Sequence, residues 1–152
     1  KARERIWLIS PYFVPDPGII RALNTQAHLG VDVRIVLPRC SNHPTADMAR
    51  NRILRELGTS GVKLYLHPEK IIHAKHMVID DDLLLSGSAN LDLRSLYYNY
   101  EIALLHYSPP TIRAVCAWAN GVMLQCKEPD LSEPGFFKRW AEDLCWLIGP
   151  LL

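Results

Sequence analysis

The sequence predicts an α/β fold in which a mixed β-sheet is sandwiched by helices on both faces. Three observations carry this prediction: strand and helix patterns alternate in the first half of the chain, a hairpin pattern follows, and two helical stretches come last. The 152 residues suit a single domain with a sizeable core, which we place at residues 1–152. Hydrophobic content of 49% and charged content of 22% are typical of globular proteins and exclude a disordered chain.

The first half of the chain alternates strand and helix patterns. Apolar runs predict three strands, at residues 5–10, 31–38 and 61–67. Between them, apolar side chains at helical spacing predict one helix that ends near Gly30 and a second helix at residues 45–57. Because a helix follows each of the first two strands, we expect the three strands to run parallel, with the helices packed on the sheet.

The second half has a different pattern. It predicts a hairpin of two strands around an acidic turn, then one more strand, then two helices. We expect the turn residues, Asp81 and Asp82, to be solvated. In chain order, the five elements are predicted at residues 71–80, 83–85, 100–107, 111–127 and 135–147.

The last predicted helix is amphipathic. Its apolar stripe consists of Phe136, Phe137, Trp140, Leu144, Leu147 and Ile148. Its polar face consists of Lys138, Arg139, Glu142 and Asp143. Packing of the stripe onto the domain itself explains the pattern, and we favour this interpretation. The alternative is a helix on a membrane surface, although the polar face is not strongly basic.

Charge, cysteines and apolar runs limit the partners and the setting. The formal net charge is +1, whereas proteins that grip a nucleic-acid backbone usually have a basic excess, so we expect no nucleic-acid partner. The four cysteines form no CxxC pair, and we interpret them as buried free thiols. No apolar run reaches the roughly 18 residues that cross a bilayer. The chain begins without Met, and we expect it to be part of a longer protein.

Two polar residues stand inside the first apolar run of the predicted hairpin. His73 and Lys75 are two positions apart, so they share one face of a strand, whereas His76 lies on the other face. An imidazole beside a fixed cation suits attack on a phosphate ester, because the cation neutralises the phosphate oxygens. An unpaired buried lysine is costly, so Lys75 needs an anion or an open cleft. For His76 alone, a hydrogen-bonded core position is the favoured interpretation.

Further polar groups follow in the same stretch. Asp80 closes the strand, and Gly87 and Ser88 form a tight turn whose backbone N–H groups can face an oxyanion. Asn90 offers an amide donor for another phosphate oxygen. Glu101, in the next predicted strand, can orient an imidazole. Together these groups predict a phosphate-ester site.

The same residues carry a resemblance to a known family. The pattern H-x-K-x4-D-x6-G-S-x-N at residues 73–90 resembles the signature of the phospholipase D superfamily. With average residue usage, it would occur by chance in a chain of this length with a probability on the order of one in a million. The segments PYFVPD, GVDVRIVLP, GSANLDLRS, NYE and FFKRWAEDLCWLIGPLL resemble the carboxyl-terminal half of bacterial cardiolipin synthases. The resemblance covers nearly the whole chain.

The resemblance implies roles for the motif residues. His73 is implied to be catalytic, either as the nucleophile that forms a phosphohistidine or as the acid/base partner. Glu101 is implied to hold His73, and Asp80 to serve the catalytic motif structurally, by fixing the turn and nearby backbone. The implied phosphate-binding residues are Lys75, Ser88 and Asn90. No cofactor and no metal are implied, and His73 and His76 on opposite faces cannot chelate one ion together.

The resemblance also implies partners. Enzymes of this family build one active site from two facing motifs, and this chain has one. A second histidine must protonate the leaving alcohol, so we expect either a homodimer or, as we favour, a missing amino-terminal half-domain. The implied substrate is a phospholipid similar to phosphatidylglycerol. The implied location is the cytoplasmic (inner) membrane of a bacterium, attached through segments outside this chain, with this domain itself soluble.

Several alternatives stay open at this stage. The favoured activity is phosphatidyl transfer between phospholipids, and the rivals are a phospholipase D-type hydrolase, a homodimeric nuclease of the superfamily and a non-catalytic domain. In sheets with parallel strands, ligands gather at the carboxyl ends of the strands. Two predicted loops lie at such ends, and their residues either line the entrance to the site or merely turn the chain. These residues are Tyr12, Phe13, Asn42 and His43.

Overall fold

The computed structural model describes residues 2–68 and 72–147. Within them, the first half of the chain forms β1 (Arg5–Ile9), β2 (Phe13–Val14), α1 (Pro17–His28), β3 (Asp32–Pro38), α2 (Pro44–Thr59) and β4 (Lys63–His67). The second half forms β5 (His76–Ile79), β6 (Leu83–Gly87), β7 (Leu91–Asp92), α3 (Leu93–Tyr97), β8 (Ala103–His106), α4 (Pro109–Met123) and α5 (Phe136–Leu147). No helix within the described ranges is long and apolar enough to cross a membrane.

One six-stranded sheet organises the domain, with the strand order β4-β3-β1-β5-β6-β8. β1, β3 and β4 pair in parallel, as the alternating patterns predict, whereas β5, β6 and β8 add antiparallel pairs. The mixed sheet is therefore confirmed. β2 and β7 form a separate two-stranded parallel sheet, which the sequence analysis did not predict.

Helices cover both faces of the large sheet, which confirms the predicted fold class. Successive residues of β1 point to opposite faces, so Leu8 and Ile9 enter different cores, and both are almost fully buried. Leu8 packs with the side of the sheet that α1 and α2 cover. Ile9 packs with Ile112 and Cys116 of α4. Each such buried side chain contributes about 1.5–3 kcal/mol.

The start of α1 follows from its sequence. Asp16 is the N-cap residue, and its carboxylate accepts hydrogen bonds from the N–H groups of Gly18 at 2.6 Å and Ile19 at 3.2 Å. Pro17 occupies the first helical position, where its missing N–H costs nothing. Tyr97 of α3 donates a hydrogen bond to the same carboxylate at 2.8 Å. The cap therefore ties α3 to the beginning of α1.

Several predicted boundaries need correction. The strand predicted at residues 71–80 begins only at His76, because residues 72–75 are irregular, and residue 71 lies outside the described residues. The strand predicted at residues 100–107 is confined to β8. Cys40 is exposed, so the expectation of four buried thiols is wrong for this residue, which follows the end of β3 in a surface loop.

The favoured interpretation of the last helix is also wrong. Phe136, Phe137 and Trp140 are 79%, 84% and 63% exposed, whereas Glu142 is fully buried. Ile148 of the predicted stripe lies outside the described residues. The helix packs inward through Glu142, which pairs with Arg55 of α2, and through Cys145 and Trp146, which pack against the core. The apolar stripe of the described helix is therefore left facing outward.

Two arginines of α2 hold α5 in this orientation. Arg55 pairs with the buried Glu142, and Arg52 pairs with Asp143 at 2.8 Å. The Arg52 guanidinium also lies 4.8 Å from the centre of the Trp146 ring, within the range of a cation–π contact. A buried carboxylate without a partner would be strongly unfavourable, so the Arg55–Glu142 pair favours this side of α5 facing inward.

Candidate active site

His73 and Lys75 come together although they do not lie on a regular strand. The Lys75 ammonium is 3.2 Å from Nε2 and 3.3 Å from Nδ1 of His73, and it donates to the His73 carbonyl oxygen at 3.1 Å. The Gly87 N–H donates to the Lys75 carbonyl at 3.3 Å, which ties this irregular segment to β6. The imidazole is exposed, and the ammonium is partly buried. A cation and an accessible imidazole thus share one small region.

Two effects on the pKa of Lys75 oppose each other. Partial burial lowers the pKa of its ammonium, whereas the carboxylates of Glu101 and Asp92 act in the opposite direction. Neither carboxylate forms an ion pair with Lys75 among the contacts of the described residues. The charge of Lys75 is therefore offset at a distance but remains available to an anion.

Ser88 and Glu101 form the next part of the site. The Ser88 hydroxyl donates to the Glu101 carboxylate and accepts from the Ile102 N–H at 3.0 Å. The Asn99 amide also donates to Glu101, at 3.4 Å. The hydrogen bond from Ser88 lowers the pKa of Glu101. Among the hydrogen bonds of the described residues, none joins Glu101 to His73, so the orienting role of Glu101 stays a prediction.

The backbone N–H groups of the predicted turn at Gly87 and Ser88 are not free to bind an oxyanion. The Gly87 N–H donates to the Lys75 carbonyl, and the Ser88 N–H donates to the Ile102 carbonyl at 2.9 Å. Both donors are used because the chain around Ile102 packs closely against the end of β6. A Cβ at Gly87 would lie 2.1 Å from the Ile102 carbonyl oxygen, so glycine is needed for this close approach. The expectation of free N–H groups at Gly87 and Ser88 is therefore wrong.

Asn90 lies on the wall of a cavity of about 200 Å³. Its Oδ1 atom is buried and has no hydrogen-bond partner among the described residues. Pairing of β2 with β7 aligns Val14 with Asp92 and brings the segment after β1 beside the segment after β6. The wall residues on these two segments and on α2, α3 and the loop after α3 are Tyr12, Val14, His43, Ala46, Asn90, Asp92, Arg94, Ser95 and Asn99.

The predicted entrance residues are partly placed at this cavity. Tyr12 and His43 line it with their rings 5.5 Å apart in an edge-on contact, and the Tyr12 hydroxyl donates to Asn42. Phe13 is only 1% exposed and does not line the cavity. The prediction for Phe13 is therefore wrong, because its side chain points from β2 into the core, on the opposite side from its neighbour Tyr12.

Asp80 lies at the other end of β5, where it binds backbone. Its carboxylate accepts from the N–H groups of Arg3 at 3.0 Å, Glu4 at 2.9 Å and Arg5 at 3.0 Å. Asp80 itself has a φ of 53°, in the left-handed region that few non-glycine residues adopt. This geometry agrees with a role in fixing the turn and the start of β1.

His76 packs on the opposite side from this site. Its ring makes an edge-on contact with Trp118 of α4 at 5.7 Å, and burial lowers its pKa. Its Nδ1 atom is buried without a partner among the described residues, so the expected hydrogen-bonded core position is only partly right. Within residues 2–68 and 72–147, no group of three or more His, Cys, Asp or Glu side chains is placed to hold a metal ion.

Sequence reasoning missed several residues of the cavity wall, among them Asp92, Arg94 and Asn99. Asp92 is the N-cap of α3, and its carboxylate accepts from the Ser95 N–H at 2.8 Å. The Asp-x-x-Ser spacing at residues 92–95 is an available signal for that cap. No comparable signal places Arg94 at the cavity, since this position depends on the pairing of β2 with β7.

Solved structures share this fold. The chain resembles Nuc of Salmonella typhimurium, a phospholipase D family member, with a TM-score of 0.74 and 22% identity over 85% of this chain and 84% of Nuc. It also resembles phosphatidylserine synthase of Haemophilus influenzae, with a TM-score of 0.78 and 17% identity over 100% of this chain and 42% of that one. At these identities, the likeness establishes a phospholipase D-like fold.

Sequence comparisons define the family more closely. The family described as "Cardiolipin synthase, PLD-like domain" matches residues 1–123. Cardiolipin synthase 2 of Bacillus cereus is 38% identical over 112 residues, which cover 74% of this chain and 22% of the relative. Cardiolipin synthase 1 of Staphylococcus aureus is 32% identical over 157 residues, which cover 99% of this chain and 31% of the relative. The chain belongs to the PLD-like domain family of cardiolipin synthases, and it spans less than a third of these relatives.

Proposed function

We propose that this chain is one catalytic half of an enzyme that transfers a phosphatidyl group from one phospholipid to another through a phosphohistidine intermediate. The observation that carries the proposal is the pairing of the exposed His73 imidazole with the Lys75 ammonium. The cavity that Asn90 lines provides room for a substrate beside the same segment of chain. The relatives named as cardiolipin synthases supply the substrate class, a phospholipid similar to phosphatidylglycerol.

The chemistry takes two steps. In the first, a nitrogen of His73 attacks the phosphorus of the donor lipid, a P–N bond forms, and the P–O bond to the leaving alcohol breaks. The leaving oxygen takes a proton from a histidine of a second motif. In the second step, that histidine removes the proton from the acceptor hydroxyl, a new P–O bond forms, and the P–N bond breaks. His73 can instead serve as the acid/base member of the pair, since the two roles are related by symmetry.

Lys75 and Asn90 are proposed to bind the phosphate, and Ser88 to support them indirectly. The Lys75 ammonium lies where it can neutralise the non-bridging oxygens, and the Asn90 amide offers a further donor. The Ser88 hydroxyl donates to Glu101, so its contribution is to hold that carboxylate near Lys75 rather than to bind phosphate directly. Asp80 acts at a distance, by fixing the backbone at the far end of β5.

We propose that a second half-domain covers the end of the sheet at β8. β8 is the last strand of the sheet, and Leu104 and Leu105 are both exposed although they point to opposite faces. Exposed contiguous apolar surface of this kind marks an interaction site. The exposed large side chains of this region are Tyr97, Tyr98, Tyr100, Ile102, Leu104, Leu105 and Tyr107. Because the relatives are more than three times longer, a second half in the same polypeptide is favoured over a homodimer.

The outward stripe of α5 is proposed to contact the membrane surface. A lipid substrate resides in a bilayer, so an enzyme that uses it must approach that surface. Phe136, Phe137 and Trp140 are the residue types that favour the lipid–water interface, and Lys138 and Arg139 lie between them in the sequence. Anionic head groups attract such cations. The inner membrane of a bacterium is the corresponding location.

Two alternative functions use the same reaction chemistry. Water in place of the acceptor lipid would make the enzyme a phospholipase D-type hydrolase. The homodimeric nuclease requires a chain that holds a single half-domain, and one observation favours such a chain: this sequence covers 84% of the Nuc chain, so a protein of similar length adopts the fold. The net charge of +1 counts against a nucleic-acid substrate.

The decisive experiment uses the full-length parent protein and vesicles of labelled phosphatidylglycerol. We expect the wild type to form cardiolipin and glycerol, and His73→Ala to lose at least a thousandfold in rate because the attacking nitrogen is gone. His28→Ala, on an exposed position of α1, is the matched control and should keep the wild-type rate. Full activity in His73→Ala would refute the proposal, and release of phosphatidic acid without cardiolipin would favour the hydrolase.

A further inference from the structure

Arg94 stands out among the residues of the cavity beside Asn90. It lies on α3, is exposed, and makes no side-chain hydrogen bond or ion pair among the described residues. By contrast, Arg52 and Arg55 of α2 are held by carboxylates. Asp92 lies on the same cavity wall, two positions before Arg94 in the chain. Its carboxylate does not pair with Arg94 but caps α3 by accepting from the Ser95 N–H. The guanidinium of Arg94 is therefore left with all its donors available at the cavity.

The cavity has the size and polarity of a head-group site. Its volume of about 200 Å³ is several times the roughly 30 Å³ that one water occupies in the liquid, so it can admit more than an attacking water. Asn90 contributes a buried Oδ1 atom without a partner, which needs a hydroxyl or amine donor. A guanidinium on one side and an orphan carbonyl oxygen on another match a molecule that has both an anion and a hydroxyl group.

Two separate cations correspond to two separate phosphates. Lys75 lies at His73, where the donor phosphate reacts. Transfer between two phospholipids also brings a second phosphate, that of the acceptor, which does not react but must be positioned. In a glycerol head group, three carbons separate the attacking hydroxyl from that phosphate. Arginine suits this task because its planar fork binds two phosphate oxygens at once.

We propose that Arg94 binds the phosphate of the acceptor lipid, while Asn90 Oδ1 accepts a hydrogen bond from the hydroxyl of its glycerol head group that does not attack. This inference rests on the proposed transferase function and names the acceptor subsite. The cavity then selects among acceptors, because an acceptor with a phosphate gains the Arg94 contact, whereas water and free glycerol do not. Arg94 thereby favours transfer over hydrolysis.

The test uses the full-length parent protein, unlabelled phosphatidylglycerol as donor, and two radiolabelled soluble acceptors, glycerophosphoglycerol and glycerol, whose label enters the lipid fraction on transfer. Arg94→Gln should lower kcat/KM for glycerophosphoglycerol roughly 10- to 100-fold, mainly through KM, because a charge-assisted bidentate contact is lost. Transfer to glycerol and hydrolysis should stay within about twofold. Arg94→Lys should recover part of the loss. Arg113→Gln, on an exposed position of α4 that has no ion pair within the described residues, is the matched control.

Each outcome decides the matter. An equal loss for both acceptors and for hydrolysis would place Arg94 at the donor phosphate and overturn the inference, as would no loss at all. If the wild type only hydrolyses lipid, the proposed transferase function fails, and calorimetric binding of glycerophosphoglycerol then judges Arg94 separately. Binding that weakens at least tenfold in Arg94→Gln would support an acceptor-like subsite. Equal binding by the two proteins, or none by the wild type, would refute it.

Discussion

Asp80 offers a direct test of how the active-site motif is built into the fold. Its carboxylate accepts hydrogen bonds from the N–H groups of Arg3, Glu4 and Arg5, and its side chain is otherwise buried at the end of β5. Asp80→Asn keeps the size of the side chain and the tolerance of asparagine for a φ of 53°. It removes the negative charge and turns one acceptor oxygen into a donor that faces N–H groups.

The expected magnitude follows from which donors water can reach. Arg3 and Glu4 are exposed, so water can satisfy their N–H groups, whereas Arg5 is half-buried in the strand. One poorly satisfied donor and the loss of a charged acceptor predict a destabilisation of about 1.5–3 kcal/mol. Asp82→Asn is the matched control, because Asp82 is exposed in the adjacent turn and its change should stay within about 0.5 kcal/mol.

The effect should also depend on pH. Burial of the Asp80 carboxylate opposes its ionisation, but hydrogen bonds from Arg5, Glu4 and Arg3 outweigh burial, so its pKa is lowered. A carboxylate with a lowered pKa stabilises the fold above its unfolded pKa of about 3.9, and this contribution is lost as the pH falls through the folded value. The gap between wild type and Asp80→Asn should therefore be full above about pH 5 and shrink below about pH 4.

Urea unfolding followed by circular dichroism at several pH values measures this gap. A midpoint shift with an unchanged slope is expected for Asp80→Asn at pH 7. Two results would refute the reasoning: a destabilisation no larger than that of Asp82→Asn, or a gap that persists unchanged at low pH. Either result would mean that the three hydrogen bonds contribute little to the turn and to the start of β1.

Three further predictions concern other parts of the fold. Gly87→Ala should lower the free energy of unfolding in urea by about 1–3 kcal/mol, because its Cβ would lie 2.1 Å from a carbonyl oxygen. Gly121→Ala, which has open space around it, is the control and should be neutral or slightly stabilising. Glu142→Ala should lower the free energy of unfolding by about 3 kcal/mol in the same measurement, because it leaves the largely buried Arg55 without its partner. Asp143→Ala removes a half-exposed ion pair and should lower it by less than about 1 kcal/mol. Trp140→Ser should weaken binding to phosphatidylglycerol vesicles roughly tenfold in a flotation assay, and unchanged binding would exclude the outward stripe of α5 as the membrane contact.

The architecture could be predicted from the sequence because local signals agree with the fold. Runs of alternating strands and helices predict the parallel part of the sheet, and the cap residue Asp16 with Gly30 at the far end frames α1. The two-residue strands β2 and β7 could not be predicted in this way. They are too short to show any period, and only the tertiary contact between Phe13 and Leu91 makes them strands.

For the last helix, the hydrophobic pattern predicted the wrong orientation of the apolar stripe. Hydrophobic periodicity identified α5 correctly but assigned its apolar stripe to the interior. The surroundings of the helix account for the difference, because α2 presents Arg55 to the buried Glu142, and Cys145 and Trp146 on the same helix pack against the core. Periodicity describes one helix alone, whereas the inward side depends on charge complementarity between two helices.

For the candidate site, the residue types were predictable and their hydrogen bonds were not. The motif pattern gave His73, Lys75 and Asn90, and the structure brings the first two into contact. The pattern also suggested free N–H groups at Gly87 and Ser88, but these donors are satisfied by the chain itself. A backbone donor must pair with something once buried, and the sequence does not say with what.

These corrections change which groups are proposed to stabilise the phosphate. With the backbone donors used, positive charge at the site must come from side chains, and the described residues near the cavity and His73 supply Lys75 and Arg94. In the proposals above, Lys75 serves the phosphate that reacts and Arg94 serves the phosphate that only binds. If both assignments hold, one histidine with two separate cations suits transfer between two phosphate-bearing lipids, whereas hydrolysis needs only one of the cations.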